Sequence, residues 1–124
     1  MAGNAFVLKL GDGADILEEL KKLVHEQRMA LAFVENASGR LKDFHLVSMA
    51  PNGRIESNFF KDACEVSAMH GKVQRIRGEL VANVRVLASR TGFTGISGQL
   101  TKGKADGELI VEVRKVDMSR MIEA

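Results

Sequence analysis

Apolar and polar positions along the chain follow two different periods, and the change from one to the other separates a single helix from a long run of strands. Residues 4–10, NAFVLKL, read as a short first strand, and GDGAD follows as a turn. Asp15 stands three residues before Glu18, the spacing of a capping box. From about Ile16 to Arg28 the apolar residues recur at helical spacing: Ile16, Leu20 and Val24, joined by Leu17 and Leu23. Glu18, Glu19, Lys21, Lys22 and Glu26 occupy the opposite face, so the spacing predicts a helix laid on a sheet by one side. Beyond it the pattern predicts strands at Leu31–Glu35, Leu41–Ala50, Arg54–Phe60, Cys64–His70, Leu80–Ala88, Thr94–Leu100 and Leu109–Val116. Asn52-Gly53, after Pro51, is the strongest short hairpin signal. The NASGR run at 36–40 and the segment Lys102–Gly107 read as turns, while Gly71 and Gly78 punctuate. Residues 117–124, DMSRMIEA, read as a loose helical turn or a frayed tail.

One helix with seven or eight strands predicts an α/β (α+β) domain: a twisted, mostly antiparallel sheet with the helix on one face. The whole chain, 1–124, reads as one domain with its core over about 5–116. A sheet that size has two faces and one helix covers only one of them. The uncovered apolar surface predicts a homo-oligomer. Met49, Met69 and Met118 are candidates for it, with core filling the alternative for each.

Composition adjusts this picture in three places. There is no Trp or Tyr, and the six Phe are the only aromatics, so the core is built of Val, Leu, Ile and Met. Base stacking on aromatic platforms is correspondingly disfavoured. Net charge is +2; residues 1–60 carry 7 basic and 8 acidic groups (−1), and residues 61–124 carry 11 and 8 (+3). That asymmetry permits an anionic partner without demanding one. Cys64 is the one cysteine and lies in an apolar stretch, which excludes an internal disulfide and suits a buried thiol in a reducing compartment. MAGNAF lacks the features of a signal peptide, and no stretch reaches the ~20 apolar residues of a membrane span. The expectation is a cytoplasmic protein with no membrane partner.

Laid end to end, several segments resemble the PPC family, the "plants and prokaryotes conserved" domain. FVLKLGDGADILEELKKL is similar to its opening strand, turn and helix, and FVENASGRLKDFHL to its second segment. CEVSAMHGKV resembles the segment often written FEILSLSG, with Glu65 on the family glutamate and Gly71 near its glycine. GELVANVRVLAS is similar to its long strand, and GISGQLTKGKADGELIVEV to its Gly-rich turn and last strand, which usually contains GGHL. The resemblance implies a compact α/β domain that assembles as a trimer. It also implies a DNA-binding role described for prokaryotic members, beside a largely unassigned biochemistry. No AT-hook of the RGRP type is present, so minor-groove reading by such an arm is not available.

In many prokaryotic members of that family two histidines on the long strand and the histidine of GGHL look like a metal site. Those positions fall here on Asn83, Arg85 and Gln99, none of them an ordinary zinc ligand, so no metal and no cofactor is expected. Residues 83 and 85 share one strand face by the period-two rule. Two amides around a guanidinium predict either a site for a small anionic ligand or a polar network, with Arg85 paired to Glu65 or Glu112. Glu65 is expected near this pocket. Lys72, Arg75 and Arg77, with Lys102 and Lys104 and also Arg90, are the candidates for a DNA-binding surface. His25, His45 and His70 show no metal-ligand spacing. Asp43 and His45 could pair on one face, with no nucleophile evident beside them. HExxH, GxSxG, CxxC and both phosphate-loop patterns are absent, and TGISGQL reads as a Gly-assisted turn. Catalytic residues are therefore not assigned. Three functions stay open: a self-associating DNA-binding domain, a small-anion or enzymatic pocket at a subunit boundary, and a purely structural oligomer.

Overall fold

The computed structural model describes residues 4–90 and 94–116. In chain order these form β1 (Ala5–Leu10), α1 (Ile16–Glu26), β2 (Leu31–Met49), β3 (Ile55–Phe60), β4 (Cys64–Ile76), β5 (Glu79–Arg90) and β6 (Thr94–Lys115). The predicted tail at 117–124, with Met118, lies outside the described residues, as does Phe93.

The helix forms where its period predicts. Asp15 is the N-cap, its carboxylate accepting from the Glu18 N–H at 3.1 Å. Ile16, Leu20 and Val24 are fully buried. The helix ends in a Schellman motif: the Met29 N–H donates to the Val24 carbonyl and the Arg28 N–H to the His25 carbonyl. Arg28 takes the left-handed position with φ 51, where glycine is the usual occupant. Met29 and Val24, at the two positions whose apolar contact commonly accompanies such a cap, are both buried in the core.

Six strands, in the order β1-β6-β5-β4-β2-β3, replace the seven or eight expected. The two supposed breaks, at 36–40 and at 102–107, lie inside β2 and β6. Both segments carry Gly and polar residues because the strands bend there: the β2–β6 ladder shifts register between Val34 and Asn36, between Ser38 and Arg40, and on both sides of His45. Gly39, at φ 129, packs so closely on β6 that a Cβ would come 2.6 Å from the Glu108 carbonyl oxygen. Gly71 likewise lies within β4 rather than ending it. The Pro51-Asn52-Gly53 hairpin forms, with Gly53 N–H donating to the Ala50 carbonyl.

The long bent strands change the layering. β2 pairs β4, β4 pairs β5, β5 pairs β6, and β6 returns to β2, so the ladder closes on itself. The inner face is thereby covered within one chain, and α1 adds its stripe to the same core. The expectation that one whole sheet face would stand open is corrected by this closure. Met69 is buried in the core, whereas Met49 is 71% exposed. β5 shows the resulting alternation: Val84, Val86 and Ala88 point inward, Asn83, Arg85 and Leu87 outward. No helix among the described residues is long and apolar enough to cross a membrane.

Candidate functional site

The outward residues of β4 and β5, with neighbours on β2 and β6, line an open groove of about 650 Å³. Two rows step across the strands. In one, Arg114 opposes Phe33, Phe33 opposes Lys72, and Lys72 opposes Asn83. In the other, His70 opposes Arg85 and Arg85 opposes Gln99. Gly71 lies between His70 and Lys72 and lets the β4 backbone approach β5. A Cβ there would stand 2.1 Å from the Asn83 carbonyl oxygen and 2.8 Å from the Val84 Cα.

The expected convergence of Asn83, Arg85 and Gln99 is present in the groove. Gln99 Nε2 donates to Asn83 Oδ1 at 3.1 Å across the diagonal of the ladder. That bond uses one Gln proton and one Asn acceptor, leaving the Asn83 amide protons and the Gln99 carbonyl oxygen for a ligand. Arg85 has no ion pair among the described residues. Neither carboxylate expected to neutralise it lines the groove. Glu65 sits toward the other end of β4, opposite Arg40 and Ser89, and Glu112 opposes Val7 and Asn36.

Phe33, Glu35, His70 and Arg114 are among the lining residues that the sequence pattern did not place in the site. Arg114 donates to Glu35 at 3.0 Å, and its guanidinium lies 5.4 Å from the centre of the Phe33 ring. With Glu35 set against Arg114, the remaining formal charges of the groove are Lys72 and Arg85, net +2.

The basic candidates separate into two groups. Lys72 lines the groove, Arg75 lines a smaller cleft of about 360 Å³ with His25 and Arg28, and Arg77 occupies the β4–β5 turn at φ 52. Lys102 and Lys104 lie on β6 opposite His45 and Lys42. Lys72 faces β2 at Phe33 and Lys104 faces it at Lys42, nine residues or a contour of about 30 Å away. Arg90 is held elsewhere, 3.7 Å from Asp62 and over the Phe60 ring.

Three other features bear on chemistry. Lys42 Nζ lies 2.8 Å from the Asp12 carboxylate, which also accepts from the Gly107 N–H at 2.9 Å. The Lys42 hydrogen bond, and after it the Gly107 one, holds the Asp12 carboxyl below its ordinary value; the same bond raises Lys42. Burial pushes the Cys64 thiol up, as befits an inert core sulfur. Among the described residues no group of three or more His, Cys, Asp or Glu is placed to hold a metal.

The model of the Plants and Prokaryotes Conserved (PCC) domain, also abbreviated PPC, matches residues 1–115. The chain belongs to this family. A PPC protein of Pyrococcus horikoshii shares its fold with a TM-score of 0.78 and 17% identity, over 91% of this chain and 79% of that one. A Bacteroides thetaiotaomicron structure named a "putative dna binding protein" gives 0.82 and 16%, over 93% and 80%. A metal-containing protein of Archaeoglobus fulgidus gives 0.76 and 15%, over 90% and 79%. At these identities the likeness concerns the fold alone. No curated protein matches the sequence.

Proposed function

We propose that this PPC domain binds a small anionic ligand in the groove between β4 and β5, with Arg85 as its principal anchor. The observation that supports it most is a guanidinium without an ion pair among the described residues, beside Lys72 and a bonded amide pair with spare donors. A guanidinium offers a planar fork of donors that matches a carboxylate or phosphate, and the Asn83 amide protons lie on the same strand face. Thermal-shift titration with phosphate, citrate and ATP tests it: at least one raises the melting temperature of the wild-type chain, and Arg85→Ala needs about tenfold more of it or more for the same rise.

DNA binding is the second reading, favoured by the name of the Bacteroides relative and by Arg28 and Arg75, which line one cleft, with Arg77 in the β4–β5 turn that follows Arg75 in sequence. Lys102 and Lys104 would contribute only to a second contact. An anisotropy titration of a short duplex at two salt concentrations decides it, since multi-phosphate contact weakens steeply with salt. Self-association, as the trimer the family resemblance implies, belongs to the same reading. Exposed Val7, Ile76 and Leu87 are apolar surface available to it, and sedimentation gives the stoichiometry.

A further inference from the structure

Away from the groove, three strands bring an imidazole and two hydroxyls into one hydrogen-bonded chain. His45 of β2 has both ring nitrogens engaged: Nδ1 meets Thr101 Oγ1 of β6, and Nε2 meets Ser57 Oγ of β3. The proton positions follow from counting donors. Thr101 donates its single hydroxyl proton to the His45 carbonyl at 3.3 Å, so its oxygen accepts from the ring and Nδ1 carries the proton. In the neutral ring Nε2 is then the acceptor, and the Ser57 hydroxyl donates to it. A hydroxyl held on a basic nitrogen, with the opposite nitrogen fixed by a third group, is the arrangement that activates a nucleophile.

The backbone around it is built to aim the ring. The β2–β6 register shifts on both sides of His45, and Asp43, two residues before it, takes φ 46. Bulges of this kind redirect a side chain out of the regular pleat. Ser57 lies on β3, which pairs only with β2 among the described strands and so faces solvent along its other edge. Ile55 and Phe59 share the Ser57 face by strand alternation and are 69% and 53% exposed. Met49 stands opposite Ile55. An apolar strip thus runs past the hydroxyl on both sides.

We propose that Ser57 is a nucleophilic serine, with His45 its general base, that accepts the acyl group of esters carrying an apolar acyl chain. Ser57 Oγ attacks the ester carbonyl carbon while its proton passes to His45 Nε2. The carbonyl–alkoxy bond then breaks, and the leaving oxygen takes that proton and departs as the alcohol. Water, deprotonated by the same nitrogen, later cleaves the acyl-serine to the carboxylic acid and restores the hydroxyl. Thr101 is a positioning residue that holds the ring tautomer.

The test uses the full chain with p-nitrophenyl butyrate. Free histidines hydrolyse such esters, so the decisive readout is the covalent product. A stoichiometric burst of nitrophenol is expected, with a butyryl group on the peptide containing Ser57 by mass spectrometry. Ser57→Ala loses the adduct, and His45→Ala slows its formation by about 100-fold. Because His45→Ala also removes two inter-strand bonds, Thr101→Val and Thr101→Ser form a second pair. Valine loses both bonds of the hydroxyl and slows acylation, serine keeps them and restores it, and circular dichroism at the assay temperature shows both variants folded. An adduct absent from Ser57, or formed as fast in His45→Ala and Thr101→Val as in the wild type, overturns the proposal.

Discussion

Replacing Gly71 with alanine puts a methyl group where the β5 backbone already stands. The new carbon would lie 2.1 Å from the Asn83 carbonyl oxygen, against the 3.0 Å below which such contacts do not occur. Relieving that overlap requires β4 and β5 to part by about 1 Å, which carries ladder bonds of ~2.9 Å to nearly 4 Å, beyond hydrogen-bonding range. Losing the two flanking bonds costs about 1 kcal/mol each, and forcing atoms into a packed site adds roughly 1–3 kcal/mol. The sum is about 3–5 kcal/mol, which for a chain of this length lowers the melting temperature by roughly 10–25 °C. Gly11→Ala is the control, because that position has open space and no left-handed φ; it should change stability by less than about 1 kcal/mol. Thermal unfolding followed by circular dichroism compares them. A Gly71→Ala protein that melts within about 2 °C of wild type would refute the close approach of the two strands. It would also remove the reason His70 and Lys72 stand so near Arg85 and Asn83.

Arg28→Gly should stabilise the chain by about 0.5–1 kcal/mol, because the left-handed C′ position of the Schellman cap costs arginine more than glycine; denaturant unfolding with an unchanged slope checks it. Cys64 should resist a thiol reagent in the native state and react stoichiometrically once unfolded. Its folded pKa is raised, so its contribution is intact below the unfolded value near 9.0 and fades as pH rises through the folded one. Asp12 has a lowered pKa: its contribution is present above the ordinary 3.8 and is lost as pH falls through the folded value. Carboxyl shifts followed by NMR should therefore show Asp12 titrating below 3.8 in the wild type and moving back toward it in Lys42→Met.

The helix and its cap were legible because they depend on neighbours within one turn: Asp15 with Glu18, and Ile16 with Leu20 and Val24. The turns at 36–40 and 102–107 were misread because glycine and polar residues mark a bend in a strand as readily as its end, and only the partner strand tells the two apart. Closure of the ladder rests on β2 meeting β6 some 70 residues later, a pairing no local pattern encodes. Asn83, Arg85 and Gln99 were found through family spacing and the period of two, whereas Phe33 and Arg114 depend on that long-range pairing. Ser57 and His45 were recoverable in principle. The Asn52-Gly53 hairpin sets a register pairing Val47 with Ser57 and His45 with Phe59, which puts Ser57 diagonally beside His45.

The most direct measurement of the anion groove is isothermal titration of the wild-type chain and Arg85→Ala with phosphate, citrate and ATP at fixed ionic strength. Wild-type protein should bind at least one of them, and the substitution should weaken that binding by about tenfold or more, as expected when a charged hydrogen-bond partner is lost. Equal binding by both proteins, or none by the wild type, would contradict a ligand site at Arg85.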